Sequence, residues 1–402
     1  MKPPPCGAGA AAPPDGQVIW RDPEFEVELF EALGPARARC EALLAAAGLA
    51  LPAPHRTAWA ELWPGRSQWF LAVRASGGGY QAGFAVEVSR SRVMLGHWLL
   101  RVERFGAMLS GAAGAAGLRA LAHLARSRPR VLRVYVEVYC EDPARRHGIG
   151  RLLGELGFRP AAHLRAYQDT VLVDLAPAED AILASFHRST RRNIRWIATQ
   201  PFEVRAIRAP APVARMAALV AESLARTGGR AAPEDWAAVT ALSERCPELS
   251  RLAGLFRADT AGPDSLVAFV WGLNHGTHVE NPVTGMTRVA GSRAPLTYAL
   301  IWDLIGWAKR VGARWFDFGG VTAGHRGEGD ALGGISDFKR GFSSTVVAVG
   351  EEWTLEPHVW RGQLATALSS LSAGVSRSVR AAGRRIARLR AGAPSPEALA
   401  GG

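Results

Sequence analysis

The segment 296–343 limits the fold more than any other part of the chain. Apolar residues recur at helical spacing to about residue 310, then a short buried strand runs into Asp317-Phe318-Gly319-Gly320. A glycine-rich loop follows, and then Asp337-Phe338-Lys339-Arg340-Gly341-Phe342. A helix feeding a buried strand is the building unit of an α/β sheet, and the loop leaving such a strand is where these proteins gather binding and catalytic groups.

Lysine usage singles out one residue of that segment. Of 48 basic residues only Lys2, Lys309 and Lys339 are lysines, which leaves 48 − 3 = 45 arginines. Lys309 lies near the end of a helix, a routine place for a cation. Lys339 lies between two phenylalanines. An ammonium is a compact point charge with three donors, whereas guanidinium is a planar fork, so the two suit different sites. The structural alternative is a lysine snorkelling past Phe338 and Phe342 to pair with Asp337.

A chain of 402 residues is long for one core and fits two domains with tails. Its formal net charge of +12 points to a polyanionic partner: tRNA, a nucleotide-linked substrate or an acidic membrane face. Cys6, Cys40, Cys140 and Cys246 have no paired spacing, which argues against zinc and against a disulfide framework and suits a reducing cytosol. The histidines lack metal-ligand spacing, so no metal is expected, and His275 and His278 read as core or surface residues. Residues 1–16 do not read as a signal peptide, and no apolar run reaches the ~18 residues of a membrane span. The expectation is a cytoplasmic protein, at most peripheral to the inner membrane face.

The fold class expected is α/β with mixed sheets, in two tandem units. Residues 1–17 form a disordered tail, 18–177 a first domain, 178–356 a second domain with the chemical motifs, and 357–402 a basic helical tail. In the first unit 26–50 carries helical periodicity, 68–75 and 81–90 make a strand pair, 112–127 a helix, 131–140 a strand, and 167–175 the closing strand. In the second, 178–200 is helical with a break near Ser189-Thr190, 202–207 is a strand, and helices follow at 212–226, 233–245 and near 248–254. Then come a hairpin over 255–276, the segment 296–343, and a last strand over 346–355. Arginines from Arg361 to Arg390 alternate with apolar residues in the tail, as in a helix lying on an anionic membrane or a solvated amphipathic helix.

Three segments, 157–199, 294–320 (ending WFDFGG) and 333–342 (GGISDFKRGF), together resemble the Fem-type (FemAB/FemX-like) transferases. The resemblance covers about residues 60–355. It implies two GNAT-like acyltransferase domains in tandem, and transfer of an aminoacyl group from aminoacyl-tRNA to an amine on a peptidoglycan precursor. It implies no cofactor, the donor being a substrate. Residues 208–254 are too short and proline-broken for the coiled-coil arm of some members, so the armless branch is the one resembled. Wider relatives act near exopolysaccharide systems, which leaves the acceptor open.

Aminolysis of an ester needs a positioned amine, loss of its proton, stabilisation of the oxyanion and a held leaving group. No Ser-His-Asp or Cys-His constellation is evident, so direct transfer is expected. Lys339 is the first candidate for the electrostatic group. Asp317 is the second, either orienting the acceptor amine or bonding the amides of Gly319 and Gly320 to shape the loop. Arg191, Arg192 and Arg195 could grip phosphate as guanidinium forks or simply form a solvated face. Gly319, Gly320, Phe338, Arg340 and Tyr298 complete the candidate binding set. Trp59, Trp63 and Trp69 could line an acceptor groove or fill the core.

Arg145–Gly150 (RRHGIG) matches the loop that holds the coenzyme A pyrophosphate in acetyltransferases, but it lies too close to Gly157-Phe158 for a working site. An acyl-CoA-dependent N-acyltransferase of envelope assembly is the runner-up function, and a basic membrane-surface scaffold the non-enzymatic one.

Overall fold

Two mixed sheets, one of eight strands and one of seven, organise the computed structural model, which describes residues 16–106, 111–227, 234–287, 295–330, 332–365 and 367–368. The first lobe opens with β1 (Gln17–Arg21), β2 (Phe25–Phe30), α1 (Pro35–Ala46) and the short α2 (Thr57–Ala60). It continues through β3 (Ser67–Ala75), β4 (Tyr80–Arg90), β5 (Trp98–Gly106), α3 (Ala112–Ser127), β6 (Val131–Tyr139), α4 (Pro143–Glu155) and β7 (Arg159–Pro160). After β8 (Asp169–Asp174) come α5 (Glu179–Ser185), α6 (Arg188–Ile197), β9 (Phe202–Ala206), α7 (Val213–Thr227) and α8 (Trp236–Arg245). The chain then forms β10 (Ser250–Arg257), β11 (Leu266–Asn274), β12 (His278–Met286), α9 (Thr297–Arg310), β13 (Trp315–Gly320), α10 (Gly333–Arg340), β14 (Val346–Ala348) and β15 (Gly350–Leu355).

The strand orders are β1-β2-β3-β4-β5-β6-β15-β7 and β14-β8-β13-β12-β11-β10-β9. Each sheet holds one parallel pair, β5 with β6 and β12 with β13, joined through α3 and α9 respectively. The next strand in each case comes from the other half of the chain. β15 lies antiparallel between β6 and β7, and β8 lies antiparallel between β13 and β14. The two lobes thus repeat one plan and exchange one strand each.

Periodicity explains the helices that face these sheets. α3 buries Leu118, Leu121 and Leu124 against β-strand residues such as Phe84, Val102 and Val136. α9 buries Leu300, Ile301, Leu304 and Ile305 against Val270, Phe316 and Phe318. Both cores are apolar throughout, so the polar groups left over are pushed to the seam between lobes.

Several expectations are corrected. Strand 167–175 does not close the first unit, and 346–355 is not one strand of the second: β8 belongs to the second sheet, while β14 and β15 lie in different sheets. The boundary at 177/178 therefore divides the sequence but not the sheets. Residues 26–30 are strand rather than helix, because Phe25, Val27 and Leu29 alternate inward along β2. The stretch 248–254 is mostly strand β10, not helix. The break in 178–200 comes at Phe186-His187, where His187 caps α6. Among the described residues no coiled-coil arm occurs: α7 and α8 pack on their own sheet. The 1–17 tail lies almost wholly outside the described residues, and the basic tail does so beyond residue 368.

Candidate active site

The site forms where β12 and β13 part. Their parallel register runs only through His278↔Trp315, Val279↔Phe316 and Glu280↔Asp317. Beyond this point β13 continues through Gly319 and Gly320, whose backbone approaches other groups closely. Gly319 has φ 69°, in the left-handed region that glycine adopts without strain. A Cβ on Gly320 would stand 2.7 Å from Cβ of Tyr167.

Asp317 is fully buried and accepts four hydrogen bonds. The hydroxyls of Tyr139 and Tyr167 donate to Oδ2, each at 2.7 Å. Thr170 and the Gly319 amide (2.7 Å) donate to Oδ1. A carboxylate has about four acceptor positions, and here all are taken. Asp317 therefore does not reach a substrate amine. It holds the strand end and the two tyrosines in place, which corrects the expectation of a direct catalytic role. Burial pushes both phenols well above their usual range, so they remain donors.

Arg104 of β5 crosses from the first lobe into this network. Its Nη2 donates to the Tyr167 hydroxyl at 2.8 Å and pairs with Glu280 Oε2 at 2.6 Å; its Nη1 donates to His278 Nε2 at 2.8 Å. Burial works against its charge, but the Glu280 carboxylate outweighs that effect and the guanidinium stays ionised. Burial, with the neighbouring His275 and Arg104, holds His278 well below its ordinary range, so the ring is neutral. Its Nε2 accepts from Arg104, which leaves the ring proton on Nδ1. Arg104 has φ 48°, an uncommon backbone state for a residue with a side chain. The β5–β6 register slips between Val102 and Phe105, which turns Arg104 toward the seam.

Lys339, on the last turn of α10, donates from Nζ to the Gly320 carbonyl at 2.6 Å. It is not paired with Asp337, whose carboxylate bonds His325 and Arg340 instead. Nζ and Glu280 Oε1 lie 3.9 and 3.8 Å from the same point above the Gly319 Cα. Burial lowers Lys339 from 10.5 to about 8, against the opposing pull of Asp317 and Glu280. Two cations, Arg104 and Lys339, thus face two carboxylates, and the centre is electrically balanced only while Lys339 is protonated. The first lobe has no equivalent centre. Two residues before its own Gly157-Phe158 corner it carries the exposed Glu155, where the second lobe has Lys339 before Gly341-Phe342.

The remaining candidates divide. Arg191 does not present a free fork: its Nη1 donates to the carbonyls of Ala184 and Phe186 and ties α5 to α6. Arg192 and Arg195 are exposed on α6. Arg340 bonds the carbonyls of Gly324 and Thr322 and fastens the glycine-rich loop to α10. Phe338 and Tyr298 pack edge to face at 4.9 Å, behind the lysine. Lys309 ties the end of α9 to the carbonyls of Leu175 and Pro177. Sequence reasoning missed Arg104, Tyr139, Tyr167, Glu280 and the part played by His278.

The Arg145–Gly150 motif is not a loop. It lies inside α4, whose N-terminus is already capped by the Asp142 carboxylate through the amides of Ala144 and Arg145. Gly150 faces Trp353 of β15 instead. An anion already occupies the position a pyrophosphate would need.

Residues 184–340 match the family described as acetyltransferase (GNAT) domain. Over 83% of this chain and 99% of the other, the fold superposes on the crystal structure of FemX with a TM-score of 0.63, at 13% identity. L-PGS from Bacillus licheniformis aligns over 86% of this chain and 98% of its own, at 14% identity and a TM-score of 0.48. A tandem GNAT protein from the clavulanic acid biosynthesis pathway aligns over 83% and 99%, at 13% identity and a TM-score of 0.47. A comparison with curated protein sequences found no match. The chain is a tandem GNAT-fold protein. More narrowly, its fold is the Fem-like one, without a coiled-coil arm among the described residues.

Proposed function

We propose that the chain is an N-acyltransferase that moves an aminoacyl group from aminoacyl-tRNA to an amine of a nucleotide- or lipid-linked cell-wall precursor. The observation that carries this reading is the Lys339 ammonium at the end of β13, where the parallel strands separate and backbone groups are free to meet a substrate. In the reaction the amine nitrogen attacks the ester carbonyl, a C–N bond forms and the C–O bond to the ribose breaks. The amine loses one proton and the departing alkoxide gains one. Lys339 stands where its charge can offset the oxyanion and where its proton can pass to the leaving oxygen. Arg104, Asp317 and the two tyrosines fix the strand end against which this happens. GNAT and Fem-like transfer needs no metal or cofactor, since the donor is itself a substrate.

An acyl-CoA donor remains the second reading, favoured by the acetyltransferase domain match but not by the capped α4. Incubation with charged tRNA pools and envelope precursors, read by mass spectrometry, tests the choice. RNase-sensitive mass gain on the precursor is expected; RNase-resistant gain that requires acyl-CoA would replace the first donor with the second. Contact with an anionic membrane belongs to the same reading. Trp360, Leu364 and Leu368 are 63, 45 and 37% exposed at four-residue spacing, and the sequence beyond them is rich in arginine. Among the described residues no helix is long and apolar enough to cross a membrane.

A further inference from the structure

A second pocket lies in the first lobe, between α2 and the face of β3, β4 and β5, with about 490 Å³ of open space. Two indoles wall it: Trp59 and Trp63 meet edge to face at 6.4 Å, and Trp59 also stacks on Trp271 of the second lobe. Its rim carries opposed charges that are not spent on each other. Glu87 and Arg101 are register partners on β4 and β5, and Glu103 lies on the same face two residues further on. Arg101 gives its Nη2 to Glu137 at 3.1 Å, while its Nε stands 3.6 Å from Glu103, too far for a hydrogen bond. The Nε of Arg101 and the Nε1 of Trp63 are buried donors with no acceptor. Arg66 lies over the Trp63 ring at 4.8 Å. The floor is His55, fully buried and neutral, its Nδ1 fixed by the Ala85 amide at 3.0 Å.

The pocket therefore offers carboxylates on one side, unsatisfied cationic and indole donors on the other, and an apolar slot between them. A lone ammonium would leave the buried donors unpaired, and a lone carboxylate would face Glu87 and Glu103. A group carrying both charges on one carbon satisfies both sides. We infer that this pocket binds an α-amino-acid head, –CH(NH3+)COO−, at the far end of the acceptor. The inference rests on the transferase reading above for the word acceptor, but not for the binding itself. Glu103 is the chain neighbour of Arg104, so a molecule seated here adjoins the Tyr167–Glu280 network that leads to Lys339. Burial and the nearby Glu137 and Glu87 raise the Glu103 carboxyl, consistent with a site that lacks its counter-cation when empty.

The full chain titrated with L-lysine, followed by tryptophan emission, tests this. Saturable binding is expected, with n-butylamine, propionate and glucose each at least ~10-fold weaker, a difference of about 1.4 kcal/mol. Glu103→Gln and Trp63→Phe are each expected to weaken L-lysine binding by about the same factor; the second keeps the shape and removes only the N–H donor. Glucose binding as tightly as L-lysine would make this a polyol site and overturn the inference, as would an L-lysine affinity unmoved by both variants. The two readings fail separately. L-lysine binding without transfer from any charged tRNA would remove the transferase and leave the pocket assigned. Transfer with an acceptor KM untouched by Glu103→Gln would do the reverse.

Discussion

Lys339 titrates near neutrality because burial disfavours its charge more than Asp317 and Glu280 restore it. If the cationic form serves the reaction, the transfer rate has a descending limb as pH rises through about 8. Lys339→Arg should abolish that limb, since guanidinium stays charged, while lowering the rate because a planar fork cannot reproduce the point charge. Lys339→Ala is expected to reduce transfer about 10²- to 10³-fold with unchanged circular dichroism. The same burial has a stability consequence of fixed sign. The folded value of about 8 lies below the unfolded 10.5, so between them the unfolded chain binds more protons and stability rises with pH. Chemical denaturation across that window should show the rise in the parent and a flatter profile in Lys339→Met. Lys339 was legible in the sequence through its rarity among 45 arginines, and Asp317 through its place at the strand end. Arg104 was hidden among those arginines. The tyrosines had a signal that went unused: the chain has only five, and Tyr139, Tyr167 and Tyr298 all lie at or behind the site.

At the scale of the element, the end of β13 is set by side chains from three other strands and by a glycine with positive φ. Gly319→Ala should cost about 1 kcal/mol or more from backbone strain alone. Asp317→Asn turns two of the four incoming donors against an amide N–H and should cost about 3 kcal/mol, read as a lowered denaturation midpoint. Apolar periodicity read α3, α9 and the strand pair β3–β4 from sequence because each buries one continuous face. It misread β2 because Phe25–Phe30 adjoins a true helix, and it misread β10 because short apolar runs do not separate strand from helix. The Arg145–Gly150 pattern failed as a loop because Asp142 and Pro143, just before it, start a helix.

For the whole molecule, the repeated plan of helix, strand and Gly-Phe corner was visible in the sequence, but the exchange of β8 and β15 was not. Strand pairing over nearly 200 residues leaves no local mark, because β8 and β15 would satisfy either sheet by composition. The exchange predicts that neither residues 18–177 nor 178–356 folds alone, since each sheet then lacks an interior strand. Co-expression of the two pieces should recover a stable complex, and thermal unfolding of the intact chain should show one transition for both lobes. Two independent transitions would contradict the exchanged arrangement.

The position of β15 also bears on how the protein is made. The lobe translated first stays open between β6 and β7 until residues 350–355 emerge, near the end of synthesis. Its apolar sheet face must wait beside the ribosome, shielded or at risk of clumping, for a strand encoded some two hundred residues later. A premature stop in the last codons would thus ruin the beginning of the protein rather than its end.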